Sequence, residues 1–316
     1  MAQRFTGIFP AVLTPIRTAG KTDTGTRAEI AEVAEEALRK HVDFLIEAGV
    51  HGLYPAGTTG EGPVLSHRQR RRLAEIVVDQ AAGRVPVMVH VGDISTVGTI
   101  ALAVHAAEIG AAAIGVVTPY YYPLTQAQLE KHFRAVAAAV APLPVYLYNI
   151  PENAKNEIAP ATAARLIHEV ENIAGLKDSS KDVVRLQSYL AAIGPAANVL
   201  IGSDDLLHPS LAAGADGLIS ALANVAPELM VRIYEASTSG DVATARRLQA
   251  VAVRLRNLLK SGPNIAGYKF AVRWRGIEGF GGVVAPLTDC SPDEERKLAE
   301  GLETMAREAF LSIRGK

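Results

Sequence analysis

A single cysteine, Cys290, has nothing within the chain to pair with, which excludes an internal disulfide framework and any multi-cysteine metal site. It suits a reducing compartment and reads as structural. An excess of either charge is also missing: 32 Lys and Arg stand against 33 Asp and Glu, so no net field favours nucleic acid or an anionic membrane. A small-molecule partner is expected instead. Long apolar runs are absent, none approaching the ~20 uncharged residues that span a bilayer. The N-terminus MAQRFTGIFPAVLTP lacks the apolar core of a signal peptide, so the expected location is cytoplasmic. The histidines at 41, 51, 67, 90, 105, 132, 168 and 208 form no HxxxH or HExxH pattern, which disfavours metal-dependent catalysis.

What is present is an ordinary globular composition, 49% hydrophobic and 21% charged over 316 residues. Short apolar runs recur at 7–15, 50–57, 85–92, 112–119, 143–151, 172–179, 198–204 and 215–222, each closed by polar, Gly or Pro residues. They are β-branched without alternation, as parallel strands covered on both faces should be. Between them lie helical periodicities, among them RAEIAEVAEEALRKHVDFLIEAG and SHRQRRRLAEIVVDQAAG. Ser66 and Ser95 stand as N-caps, Pro160 falls in a first turn, and Gly49 and Gly110 follow helix ends. Such alternation predicts an α/β chain folded as a (β/α)8 TIM barrel, with the open doubly wound sheet as the competing arrangement. After about residue 224 only helical patterns follow, giving a barrel domain over 1–235 and an appended C-terminal helical segment over 236–316. The polar stretch RTAGKTDTGT, residues 17–26, is expected to be an exposed loop.

In such a barrel the functional groups sit where strands end. That rule selects Thr14, Thr58, Thr59, His90, Thr118, Tyr148, Asn149, Lys177, Asp178, Ser203, Asp204 and Ser220. Lys177 alone among the lysines terminates a strand-like run, NIAGLK. Burial there would lower its pKa and raise the fraction of neutral amine able to attack a carbonyl. The structural alternative is an ion pair with Asp178 or Asp204. Tyr148 ends the preceding strand and could relay protons, or could simply pack. Tyr146 should lie one layer deeper. The loop AGTTGEG, residues 56–62, could bring Gly57, Thr58, Thr59 and nearby amides to a carboxylate, and it lacks the GK[ST] of a P-loop. His90 reads as a satisfied core histidine at the edge of the site. PYYYP, residues 119–123, could line the site, a subunit interface or plain surface.

Taken together, GTTGE at 57–61, TPYYYP at 118–123, YNIP at 148–151, GLKDSS at 175–180 and GADGLIS at 214–220 resemble the dihydrodipicolinate synthase/N-acetylneuraminate lyase family, in order and over about residues 5–290. The resemblance implies a class I aldolase in which Lys177 forms a Schiff base with a pyruvate-like 2-oxo acid, without metal or cofactor. It assigns proton relay to Tyr148 and Thr58, and carboxylate binding to Thr58 and Thr59. It sends Tyr121 into a neighbouring subunit's site, and so implies a homodimer or homotetramer. Ile219 would bring its carbonyl near the site, and Gly57, Ser179 and Ser220 join Thr59 as substrate-binding candidates.

One departure sets the expected substrate. The synthase branch carries YNVPxRT, whereas this chain reads YNIPENAKN, with Asn153 in the arginine's place and Lys155 displaced from it. An amide cannot make the charged bidentate contact of a guanidinium. With TPYYYPL and KDSS, this favours reversible C–C cleavage of a 2-keto-3-deoxy sugar acid. The alternatives are the synthase condensing pyruvate with aspartate semialdehyde, an imine-using dehydratase, and a sugar-acid binding protein.

Overall fold

The computed structural model describes residues 4–19 and 30–311. Strand β1 (Gly7–Pro10) leads into β2 (Ile16–Ala19) and β3 (Ile30–Val33), and then helix α1 (Glu35–Glu47). Alternation follows: α2 (His67–Ala81), β4 (Met88–His90), α3 (Thr96–Glu108), β5 (Ala113–Val117), α4 (Gln126–Val140) and β6 (Val145–Asn149). It continues with α5 (Pro151–Ala154), α6 (Pro160–Glu169), β7 (Ile173–Asp178), α7 (Val183–Ile193), β8 (Asn198–Ile201), α8 (Leu207–Ala212) and β9 (Gly217–Ser220). Four helices end the chain: α9 (Pro227–Thr238), α10 (Val242–Leu259), α11 (Asn264–Trp274) and α12 (Pro292–Met305).

The barrel expected from the alternation forms. Parallel pairing runs β1-β9-β8-β7-β6-β5-β4. Closure comes from residues 51–55. On one side Tyr54 N–H donates to Pro10 O (2.9 Å) and Val12 N–H to Tyr54 O (3.0 Å); on the other Leu53 N–H donates to Pro86 O (3.0 Å) and Met88 N–H to Leu53 O (2.9 Å). Pro55 has no N–H to extend this ladder, so the segment stays too short for a regular strand.

Burial on both faces explains the unbroken apolar runs. Outward residues such as Ile8, Val89, Ile114, Leu147, Leu176 and Val199 join the core under the helices, whereas Phe9, Tyr54, Met88, Tyr146, Leu200 and Ile219 fill the lumen. The lumen is therefore a packed core with its chemistry at one end. Helix punctuation agrees with the sequence: Ser66 makes a capping box with Gln69, Ser95 caps α3, and Gly49 (φ +85°) and Gly110 (φ +81°) stand just past helix ends.

Two local expectations are corrected. Residues 17–19 are not loop but part of an antiparallel pair, with Ile16 opposite Val33 and Ala19 opposite Ile30; residues 20–26 of the expected loop lie outside the described residues. The first helix accordingly begins at Glu35, because Ile30–Val33 is taken up as strand. Glu35 and Glu36 then occupy the first turn, where the helix dipole favours negative charge. Helix α9 runs through residue 235 and packs on β1 and α10, so the tail is continuous with the barrel's helical layer. Among the described residues no helix is long and apolar enough to cross a membrane.

Candidate active site

Lys177 and Tyr148 are partners in the β6–β7 register, so both side chains project at the same level. Lys177 is buried at 5% exposure. Its Nζ lies 3.9 Å from the ring centroid of Tyr148 and 4.4 Å from that of Tyr54. Desolvation pushes the amine's pKa below the usual lysine range, opposed by the Tyr148 phenol and by Asp204. Neither carboxylate offered by the structural reading is ion-paired with it. Asp178 accepts from Asn149 Nδ2 (2.8 Å) and Ser180 Oγ (2.7 Å), and Asp204 from Ser220 Oγ (2.5 Å) and the Leu222 amide (3.3 Å). What remains is an amine poised to lose its proton, the state that attacks a carbonyl carbon. Gly202 makes its position possible: a Cβ there would stand 1.9 Å from Ser179 Oγ and 3.1 Å from Lys177 Cε.

The phenol of Tyr148 lies 3.4 Å from Thr58 Oγ1, a loose contact of the kind that tightens when substrate binds. Thr58 and Thr59 sit on a loop held from both sides. Thr14 Oγ1 donates to Gly60 O (2.6 Å), and Glu61 accepts from the Val284 amide (2.7 Å) and pairs with Lys269, whose Nζ also donates to Gly282 O (2.8 Å). Burial acts on both ions, raising the Glu61 pKa and lowering that of Lys269. Gly62 is required at the loop's end, since a Cβ would approach Ala56 O to 1.9 Å.

Other candidates are spread more widely. Gly57 is buried against the Tyr54 ring, Ile219 lines the lumen, and Ser179 is buried with its amide donating to Asn149 O at 2.8 Å. The Ser220 hydroxyl is engaged by Asp204 and by the Ala223 amide. Asn153 is exposed. Tyr121, 76% exposed at φ +85°, packs edge to face on Tyr122. Tyr146 lies deeper, donating to Asn198 Oδ1 (3.1 Å). Sequence reasoning missed Tyr54, the second ring beside the amine, and the Glu61–Lys269 pair. The signal for Tyr54 was its place in the strand that ends at the GTTGE loop. Lys269 lies on a helix, where burial has no comparable mark. Among the described residues no group of His, Cys, Asp and Glu could hold a metal ion.

A buried, deprotonation-prone lysine paired with a tyrosine that reaches a Gly-Thr loop is the arrangement the motifs imply. The sequence pattern of the dihydrodipicolinate synthetase family matches residues 4–305. The chain belongs to that family. It is thereby a class I, Schiff-base carbon–carbon lyase. An uncharacterised DapA-like lyase of Halobacterium salinarum is 43% identical over 94% of this chain and 92% of its own length. The 4-hydroxy-tetrahydrodipicolinate synthase of Methanopyrus kandleri is 42% identical over 88% and 89%. Among solved structures, YagE, a prophage protein of the dihydrodipicolinic acid synthase family from E. coli K12 in complex with pyruvate, superposes with a TM-score of 0.87 at 31% identity, covering 98% of this chain and 99% of that one.

These likenesses overturn the expected closeness to the 2-keto-3-deoxy sugar acid aldolases. Synthases match at 36–42% identity over most of the barrel. TPYYYPL, KDSS and Asn153 misled because they are a few positions, and KDSS includes the buried Lys177 and Asp178 that end β7. The frame they decorate is that of the synthetase family.

Proposed function

We propose that this member of the dihydrodipicolinate synthetase family condenses pyruvate with aspartate semialdehyde through an imine on Lys177. The observation that carries this reading is the buried amine lying against the Tyr54 and Tyr148 rings, with the Tyr148 hydroxyl in reach of Thr58. The neutral amine attacks C2 of pyruvate, and Tyr148 carries protons between the carbinolamine and Thr58 as water leaves. The protonated imine withdraws electrons from C3, which loses a proton to give the enamine that attacks the aldehyde carbon. Thr58, Thr59 and the Gly57 loop hold the pyruvate carboxylate. Tyr121 completes the site of a neighbouring subunit in a homodimer or homotetramer.

The exposed amide of Asn153 stands where the synthase branch places a guanidinium, so the second substrate's carboxylate is held by a weaker, neutral donor. Two nearby cations are committed to Glu152: Lys155 Nζ donates to its carbonyl (2.9 Å) and Lys181 pairs with its carboxylate (2.7 Å). A high KM for aspartate semialdehyde follows.

Borohydride reduction in the presence of pyruvate, followed by peptide mass analysis, tests the imine. An adduct on Lys177 is expected, and absence of label under conditions that modify a known synthase would refute it. Turnover with aspartate semialdehyde then tests the second substrate. Light scattering tests the assembly, since a fully active monomer has no use for Tyr121 in a neighbour's site.

A further inference from the structure

His90 ends β4 inside the barrel with its side chain only half accounted for. It is 4% exposed, its ring meets that of Tyr148 edge to face at 5.8 Å, and it lies tilted at 5.9 Å from that of Tyr54. These are the two rings that lie against Lys177 Nζ. Nδ1 lies 3.0 Å from Ala56 O. A carbonyl can only accept, and at 3.0 Å it prevails over the guanidinium of Arg70, a donor 3.4 Å from the same nitrogen, so Nδ1 carries the hydrogen and, in the neutral ring, Nε2 carries a bare lone pair. The guanidinium of Arg70, 3.4 Å from Nδ1 and donating to His90 O at 3.0 Å, fixes the residue from behind and disfavours a second positive charge. Burial, Arg70 and Lys177 together hold the imidazole well below its usual pKa. Nε2 is buried and has no hydrogen-bond partner among the described residues. It sits beside Gly92, just past the C-terminal end of β4, at the end of a barrel where substrates enter.

A buried acceptor left unpaired is costly, and in a binding site it is a place prepared for a donor. Pyruvate joined to Lys177 has no hydroxyl to give. Bond formation creates one: the aldehyde oxygen becomes a hydroxyl on C4, two carbons beyond the imine carbon. We propose that His90 Nε2 accepts a hydrogen bond from this C4 hydroxyl and so selects the adduct over unsubstituted 2-oxo acids. This rests on the Lys177 imine reading and extends it to the aldehyde-derived half. His90 reads this hydroxyl on any aldol adduct, whatever the aldehyde's remaining carbons.

The test uses borohydride trapping on Lys177 with 2-oxobutanoate and 4-hydroxy-2-oxobutanoate, which differ only by the C4 hydroxyl. Wild type is expected to require about tenfold less of the hydroxylated acid for half-maximal trapping, the weight of one buried hydrogen bond. His90→Asn can keep a donor to Ala56 O while deleting the nitrogen at Nε2, and is expected to bring the ratio close to unity. His90→Gln places an amide oxygen at the reach of Nε2 and should restore part of the preference. A merely structural role weakens trapping of both acids alike and leaves their ratio intact; that result in both variants, or no preference in wild type, overturns the proposal. Failure of wild type to trap pyruvate at all overturns the imine reading and this one with it. Normal pyruvate trapping with an unmoved ratio overturns the His90 role alone.

Discussion

Lys269→Met removes an ammonium from a site with no exposure and leaves the Glu61 carboxylate, itself 1% exposed, held by the Val284 amide at 2.7 Å. Stripping one partner from a buried ion pair costs about 3–5 kcal/mol, because the other charge stays desolvated. At about 1.5 °C per kcal/mol for a 316-residue chain, the midpoint of thermal unfolding should fall by roughly 5–8 °C. Protonation offers partial relief. Desolvation already holds the Glu61 pKa above its usual value, and losing the cation raises it further, so the variant's deficit should shrink as pH falls. Pairing the change with Glu61→Gln removes both charges, and the double variant should lose clearly less than the sum of the two singles. Urea denaturation of the four proteins at neutral and mildly acidic pH measures each quantity. Because Glu61 closes the loop that carries Thr58 and Thr59, half-saturation by pyruvate should also rise. A Lys269→Met protein within 1 kcal/mol of wild type, by the scale of ordinary surface changes, or strict additivity in the double variant, would refute the claim that this pair holds the loop.

Gly202→Ala should abolish imine trapping while sparing most of the fold, since its Cβ would strike Ser179 Oγ at 1.9 Å and crowd Lys177 Cε at 3.1 Å; Ser179→Gly in the same chain should recover part of the loss, and unimpaired trapping by Gly202→Ala alone would contradict the packing. Tyr148→Phe keeps the ring against Lys177 but removes the relay hydroxyl, and kcat is expected to drop by about 10²–10⁴-fold, an outcome stopped-flow or coupled assays will read directly. The rate of trapping at low pyruvate should fall as pH falls through the lysine pKa, because only the neutral amine attacks. The lowered pKa puts that acid limb beneath the ordinary lysine range, so a limb at or above it would count against the burial argument. Asn153→Arg should lower KM for aspartate semialdehyde several-fold with little change in kcat, checked by initial rates at saturating pyruvate.

The barrel was legible because each strand is buried on both faces, so runs such as LPVYLYNIP and NIAGLKDS carry one signal from end to end. The pairing of residues 16–19 with 30–33 was not, since a hairpin is decided by its cross-strand partners and the helical period of the following residues extended back over Ile30–Val33. Lys177 could be singled out by ending a strand. Tyr54 could not be told from ordinary lumen packing, because its role depends on meeting Lys177 beside Tyr148 from a distant part of the chain. The Glu61–Lys269 pair was invisible for the same reason, its members lying more than two hundred positions apart in sequence. His90 was read as a satisfied core histidine, which describes Nδ1 and misses Nε2.

The two ring faces against Lys177 Nζ act beyond the resting enzyme. In the proposed imine, positive charge returns to the same nitrogen as an iminium, and the electron-rich faces of Tyr54 and Tyr148 attract it there too. The iminium shares its charge with carbon and has fewer N–H groups to satisfy than an ammonium, so the dry pocket penalises it less. The surroundings that make this lysine a poor holder of protons thus favour the bond to substrate proposed for it.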